Sequence, residues 1–101
     1  MIRGTSPTIV LKLIGMDLDR IETAYVTFKQ GRRGITKITT GDDVTITEEG
    51  LEVFLSQEDT LEFKPGEVQI QVRGMTTDNV AFATDIVTRE MNDILQEGVI
   101  S

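Results

Sequence analysis

"LEFKPGEVQIQVRG", residues 61–74, is the stretch that decides how this chain folds. Pro65-Gly66 makes a turn and delivers the backbone into a segment whose alternate side chains are Val68, Ile70 and Val72, the period-two pattern of a strand with one buried face. "GMTTDN" at 74–79 is turn chemistry again, and the residues beyond it are rich in Val, Phe, Thr and Ile. A polar turn, Pro-Gly, an alternating strand, a Gly/Asp loop and a returning strand together make the closing hairpin typical of immunoglobulin-like sandwiches.

The same alternation runs through the residues before it. Thr8 to Ile14 reads as a first strand with Ile9, Leu11 and Leu13 on one face, and Pro7 stands just before it, where a missing N–H is tolerated. "GMDLD" turns the chain into Ile21–Lys29, with Ala24, Val26 and Phe28 inward and Thr23, Tyr25 and Thr27 outward. "QGRRG" closes a hairpin onto Ile35–Thr40, and "GDD" turns into Val44–Thr47. After "TEEG", Leu51, Val53 and Leu55 mark another strand. "SQEDT" predicts a helical turn near 57–61, capped by Ser56 and with Glu58 and Asp59 at its positive end.

"VAFATDIVTREMNDIL" at 80–95 carries two periodicities. Val80, Ala83, Val87, Met91 and Ile94 fall on one helical face, but the β-branched and aromatic residues of 80–90, directly after a hairpin partner, favour a strand from Val80 to about Met91. Residues 91–95 also suit a helical turn. The tail "QEGVIS" ends in apolar Val99 and Ile100, which must dock or stand exposed. The expectation is a single all-β domain over 1–101, an immunoglobulin-like antiparallel β-sandwich of about seven strands, with an N-terminal arm at 1–6 and a C-terminal tail at 96–101.

At 101 residues one core is feasible and a second domain is not. The chain has no Cys and no His, so it has no disulfide, no thiol nucleophile and no imidazole base or ligand. The N-terminal apolar run is short and broken by Lys12, which predicts neither an export signal nor a membrane span, and the chain is read as soluble. A net charge of −7 argues against nucleic acid, whose phosphates are bound by cationic side chains. The charge is uneven along the chain, +4 over residues 1–40 and −11 over 41–101. That pattern permits head-to-tail stacking, or merely early and late strands lying side by side.

Carboxylate pairs at Asp17/Asp19, Asp42/Asp43, Glu48/Glu49 and Glu58/Asp59 all fall in turns. They lack the aromatic cleft of a glycosidase and the alternation of a calcium-binding loop. No Ser/Lys pair lies in a nucleophile motif, and Gly31-Arg32-Arg33-Gly34 lacks the helix of a phosphate cradle. These readings point away from an enzyme and toward no cofactor or metal. The candidate interaction residues are Arg32 and Arg33 at a hairpin tip, outward Tyr25, and Val99 and Ile100 of the tail.

Three stretches also carry a resemblance: the opening "IRGTSPT", the closing "LEFKPGEVQIQVR" with "ATDI" after it, and the ending "DILQEGVIS". Over nearly the whole chain they resemble small proteins encoded among the tail genes of phages and prophages of Gram-positive bacteria, some similar to the N-terminal domain of baseplate upper proteins. The resemblance implies a virion tail or baseplate component made in the host cytoplasm, immunoglobulin-like and assembled in several copies with other virion proteins. It rests on turn and strand patterns and transfers no functional residue. The rival expectation is a carbohydrate- or surface-binding module on the same sandwich, which would need an exposed aromatic platform.

Overall fold

Two antiparallel sheets face each other across one apolar layer in the computed structural model, which describes residues 1–100. In chain order the strands are β1 (Thr8–Lys12), β2 (Ile21–Gln30), β3 (Arg33–Ile38), β4 (Val44–Ile46), β5 (Gly50–Phe54), β6 (Gly66–Thr76), β7 (Ala81–Ala83) and β8 (Val87–Met91). A 3-10 turn, Leu18–Arg20, precedes β2, and one short helix, α1 (Gln57–Leu61), joins β5 to β6. The smaller sheet has the order β1-β5-β4. The larger has the order β3-β2-β6, with both β7 and β8 paired to the far side of β6.

The expected inward sets are the buried ones. Ala24, Val26 and Phe28, then Leu51, Val53 and Leu55, then Val68, Ile70 and Val72, all join a single core with Leu11, Phe63 and Met91. Phe28 and Phe63 are its largest fully buried side chains. Thr60 is the buried polar residue, and its hydroxyl donates to the Thr5 carbonyl at 2.9 Å, tying α1 to the N-terminal arm. The capping box forms as well: Asp59 N–H donates to Ser56 Oγ at 3.1 Å, and Ser56 N–H donates to Asp59 Oδ2 at 2.9 Å.

Several boundaries differ from expectation for local reasons. The first hairpin turns at Gly31-Arg32, with Gly31 at φ +60°, so Arg33 and Gly34 already belong to β3. β6 runs on through Gly74, where a Cβ would collide with the Thr23 carbonyl and lie 2.8 Å from the Phe82 ring. Gly74 is therefore a strand residue over which an aromatic folds, and the turn lies further on, where Asn79 takes φ +68°. Residues 91–95 form no helical turn: Met91 ends β8 and Asn92 bridges to Ile2.

The expected final strand is present but broken, which raises the strand number to eight. Arg73 lies opposite Ala83 and Ile70 opposite Val87, so Gln71 and Val72 face the three residues Thr84, Asp85 and Ile86. One extra residue makes a bulge. Thr84 repairs it: its Oγ1 accepts the Val72 N–H at 3.1 Å, its N–H donates to Val72 O at 2.9 Å, and its carbonyl accepts Gln71 Nε2 at 2.9 Å. The uneven charge of the sequence does not separate in space, since β1 pairs with β5 and β2 with β6.

Candidate functional site

The strand orders place β3 over β4 at one flank of the sandwich and β7–β8 over β1 at the other. The two flanks differ.

The β3/β4 flank is closed by charge. In β3 the alternation that sends Ile35 inward sends Lys37 inward too, opposite Val26. Its ammonium reaches Asp43 at 2.7 Å and Asp59 at 2.8 Å, so one lysine links β3, the loop before β4 and α1. Partial burial works against charge on both Lys37 and Asp59. The mutual hydrogen bond, with the Ser56 N–H on Asp59 and Asp43 on Lys37, outweighs it, raising Lys37 and holding Asp59 below the usual carboxylate range. An inward-pointing charge is also a known guard against unwanted pairing at a sheet edge.

The β1/β8 flank is open. A groove of about 700 Å³ runs between the two sheet edges, floored by Leu11, Ile70 and Val72 and walled by Val10, Ile14 and Val87. Lys12 and Arg89 stand at its sides, and Asp85 of the bulge also lines it. Ile14 is 95% exposed. Leu55 N–H donates to Pro7 O at 3.0 Å, and in an antiparallel ladder the bonded pairs alternate. Ile9 and Leu11 thus turn their backbone groups to β5, while Thr8, Val10 and Lys12 present theirs to solvent, the latter two at the groove.

Both chain ends are fastened to other elements, the first to the end of β8 and the last to α1. The Met1 ammonium donates to Glu90 O at 2.7 Å, Asn92 N–H to Met1 O at 2.7 Å, and Arg3 N–H to Asn92 O at 2.9 Å. Arg3 Nε donates to Phe63 O, and its Nη1 pairs with Asp93 at 3.0 Å and Glu97 at 2.6 Å. Asp93 is held below its ordinary value by the Ile94 N–H and by Arg3. The N-terminal arm is thus docked on its own chain. The tail is held more lightly: Gln57 grips the Ile100 backbone through Ile100 N–H at 2.8 Å and Ile100 O at 3.1 Å.

The five residues expected from sequence do not form one site. Tyr25 lies on the outer face of the larger sheet between Ile38 and Arg73, without a second aromatic beside it. Arg32 is exposed at the hairpin turn, whereas Arg33 donates to the Glu62 carbonyl at 2.9 Å. Val99, Ile100 and Leu95 are exposed, and of the three only the Ile100 backbone is held at α1. Sequence reasoning missed the groove, although "TIVLKLI" signals it by carrying apolar residues on both phases of one strand.

The carboxylate pairs sit where turns put them: Asp17 Oδ1 accepts the Asp19 N–H at the 3-10 turn, and Asp59 belongs to the Lys37 network. Among the described residues no three acidic side chains converge on a common point, and no helix is long and apolar enough to cross a membrane. Compared with protein-family models, curated proteins and solved structures, the chain finds no match.

Proposed function

We propose that the chain is a non-enzymatic structural subunit that works through protein–protein contacts, as a component of a phage or prophage tail or baseplate. The observation that carries this reading is the open flank, where an unpaired strand edge runs beside an apolar groove on an otherwise well-packed domain. Such an edge offers backbone hydrogen bonds and side-chain pockets together, the two ingredients of strand addition by a neighbour. The groups with shifted protonation, Arg3, Lys37, Asp59 and Asp93, are all engaged in ion pairs that fasten loops and ends. The tail-region assignment rests on the resemblance of the opening, closing hairpin and ending of the sequence.

The sandwich is read as immunoglobulin-like in its two-layer antiparallel packing. Its strand order puts β2 between β3 and β6, where the constant-type immunoglobulin order keeps the second strand with the first and fifth. The likeness therefore lies in the layering. Mass spectrometry of purified particles, with co-purification of the tagged chain alongside products of neighbouring genes, tests the proposal. Finding the chain in particles and bound to a tail protein supports it; its absence from both overturns it.

A further inference from the structure

Two features are left without a partner inside the molecule: the groove at the β1/β8 flank and the apolar side chains of the tail. Leu95 is fully exposed, Ile100 is 79% exposed and Val99 50% exposed, while the groove leaves Val10, Ile14 and Val87 open to water. An exposed apolar patch facing a complementary apolar recess elsewhere on the same molecule is the arrangement that yields head-to-tail contacts between copies.

Charge selects the same pairing. The tail is acidic, with Asp93 and Glu97 flanking Leu95, and the groove carries Lys12 and Arg89 at its sides. A tail laid along β1 brings Glu97 to basic rim groups and gives the backbone of Thr8, Val10 and Lys12 an extended partner. Asp85 is the acidic group at the groove, and it lies in the bulge of the opposite wall rather than on β1.

The chain's own tail sits elsewhere. It is fastened beside α1, where β1 begins at Thr8, while the groove follows the chain from Val10 to Ile14 and so starts about 7 Å further along the strand. The contacts that hold it there are main-chain bonds to one glutamine and a surface ion pair between Arg3 and Glu97, both readily exchanged.

We propose that residues Leu95–Ile100 of one copy seat in the β1/β8 groove of the next, with Leu95 and Val99 in the apolar recess and Glu97 at Lys12 or Arg89. The contact is heterologous, so successive copies form an open chain or, where the rotation closes, a ring. This inference rests on the assembly reading above and names the partner as a second copy.

A labelled peptide of residues 93–100 added to the full chain tests it by fluorescence anisotropy. Saturable binding is expected, weakened about tenfold or more by Ile14→Asp in the protein or Leu95→Asp in the peptide. Both substitutions fall at nearly fully exposed side chains, so unaltered melting curves are expected for both full-length variants. Lys12→Glu gives a second groove variant, and its binding should recover with a Glu97→Lys peptide. In sedimentation, the Ile14→Asp and Leu95→Asp chains should each be monomeric alone and form one-to-one pairs when mixed, because one keeps a tail and the other a groove.

Absence of peptide binding, binding indifferent to Ile14→Asp, or a mixture that stays monomeric overturns the inference. Finding the chain in particles is independent of all three, so that failure of the tail contact and failure of the assembly reading are told apart.

Discussion

Lys37 stands directly opposite Val26 in the β2–β3 ladder, on the face that looks into the core, and its ammonium escapes only at the rim, 2.7 Å from Asp43 and 2.8 Å from Asp59. A strand edge is thereby closed by one lysine that the apolar pattern alone would have assigned to a hydrophobic place.

The closure is expected to be pH-dependent. Asp59 is depressed, so its contribution is present above the unfolded carboxylate value of about 3.9 and is lost as pH falls through the lower folded value. Lys37 is raised, so its contribution is complete below about 10.4 and is lost as pH rises through the higher folded value. Melting temperature followed against pH should fall at both ends in the native chain. Asp59→Asn should flatten the acid limb, and Lys37→Met should cost about 1–3 kcal/mol at neutral pH. Parallel acid limbs for native and Asp59→Asn chains would show the pair to be energetically idle.

Gly74 and Gly34 differ in what a methyl group would meet. At Gly74 it strikes the Thr23 carbonyl and the Phe82 ring, whereas at Gly34 it makes ordinary contact with Phe28 O at 3.6 Å. Gly74→Ala should lower stability by about 1–3 kcal/mol through overpacking, and Gly34→Ala should change it little. Urea midpoints measure both, and equal midpoints would contradict the close approach of β2, β6 and Phe82.

Thr60→Val keeps the buried shape and removes the donor to the Thr5 carbonyl. A loss of about 1–3 kcal/mol is expected, together with faster hydrogen exchange at the backbone of the arm. Unchanged exchange at residues 1–6 would mean that the arm is held by Met1 and Arg3 without help from Thr60.

Thr84→Val should expose the weakness of the bulge. The Val72 N–H loses its acceptor, and its exchange rate is expected to rise while those of Val26 and Phe28 stay slow. Uniform exchange across the sheet in the variant would argue that the bulge is braced by Gln71 and the flanking ladders.

Most of the layer structure was legible because it depends on period two. Val68, Ile70 and Val72 in the opening stretch, and the matching triplets in β2 and β5, announce which face is buried. The Ser56 cap was equally plain, since its chemistry is local, although the reciprocal bond from Ser56 N–H to Asp59 was seen only in the structure. What the pattern hides depends on partners far along the chain. Nothing near Thr84 says that two residues of β6 will face three, and nothing near Gly74 says that Phe82 will lie over it. Arg33 was expected at a free tip beside Arg32, yet the strand begins there and its guanidinium turns to Glu62. The groove escaped notice because Ile14 looks like one more strand residue until β1 ends at Lys12.

The register of the two sheets also bears on how the polypeptide reaches its final shape. β1 waits for β5 and β2 waits for β6, so each layer depends on strands separated by forty-odd positions, and the Ile2–Asn92 bridge spans ninety. Apart from the β2–β3, β4–β5 and β6–β7 hairpins, early local contacts contribute little, and acquisition of structure is expected on the millisecond-to-second scale of distant strand pairing. During synthesis, the smaller layer has all its strands once Phe54 has emerged, whereas the larger one waits for Met91.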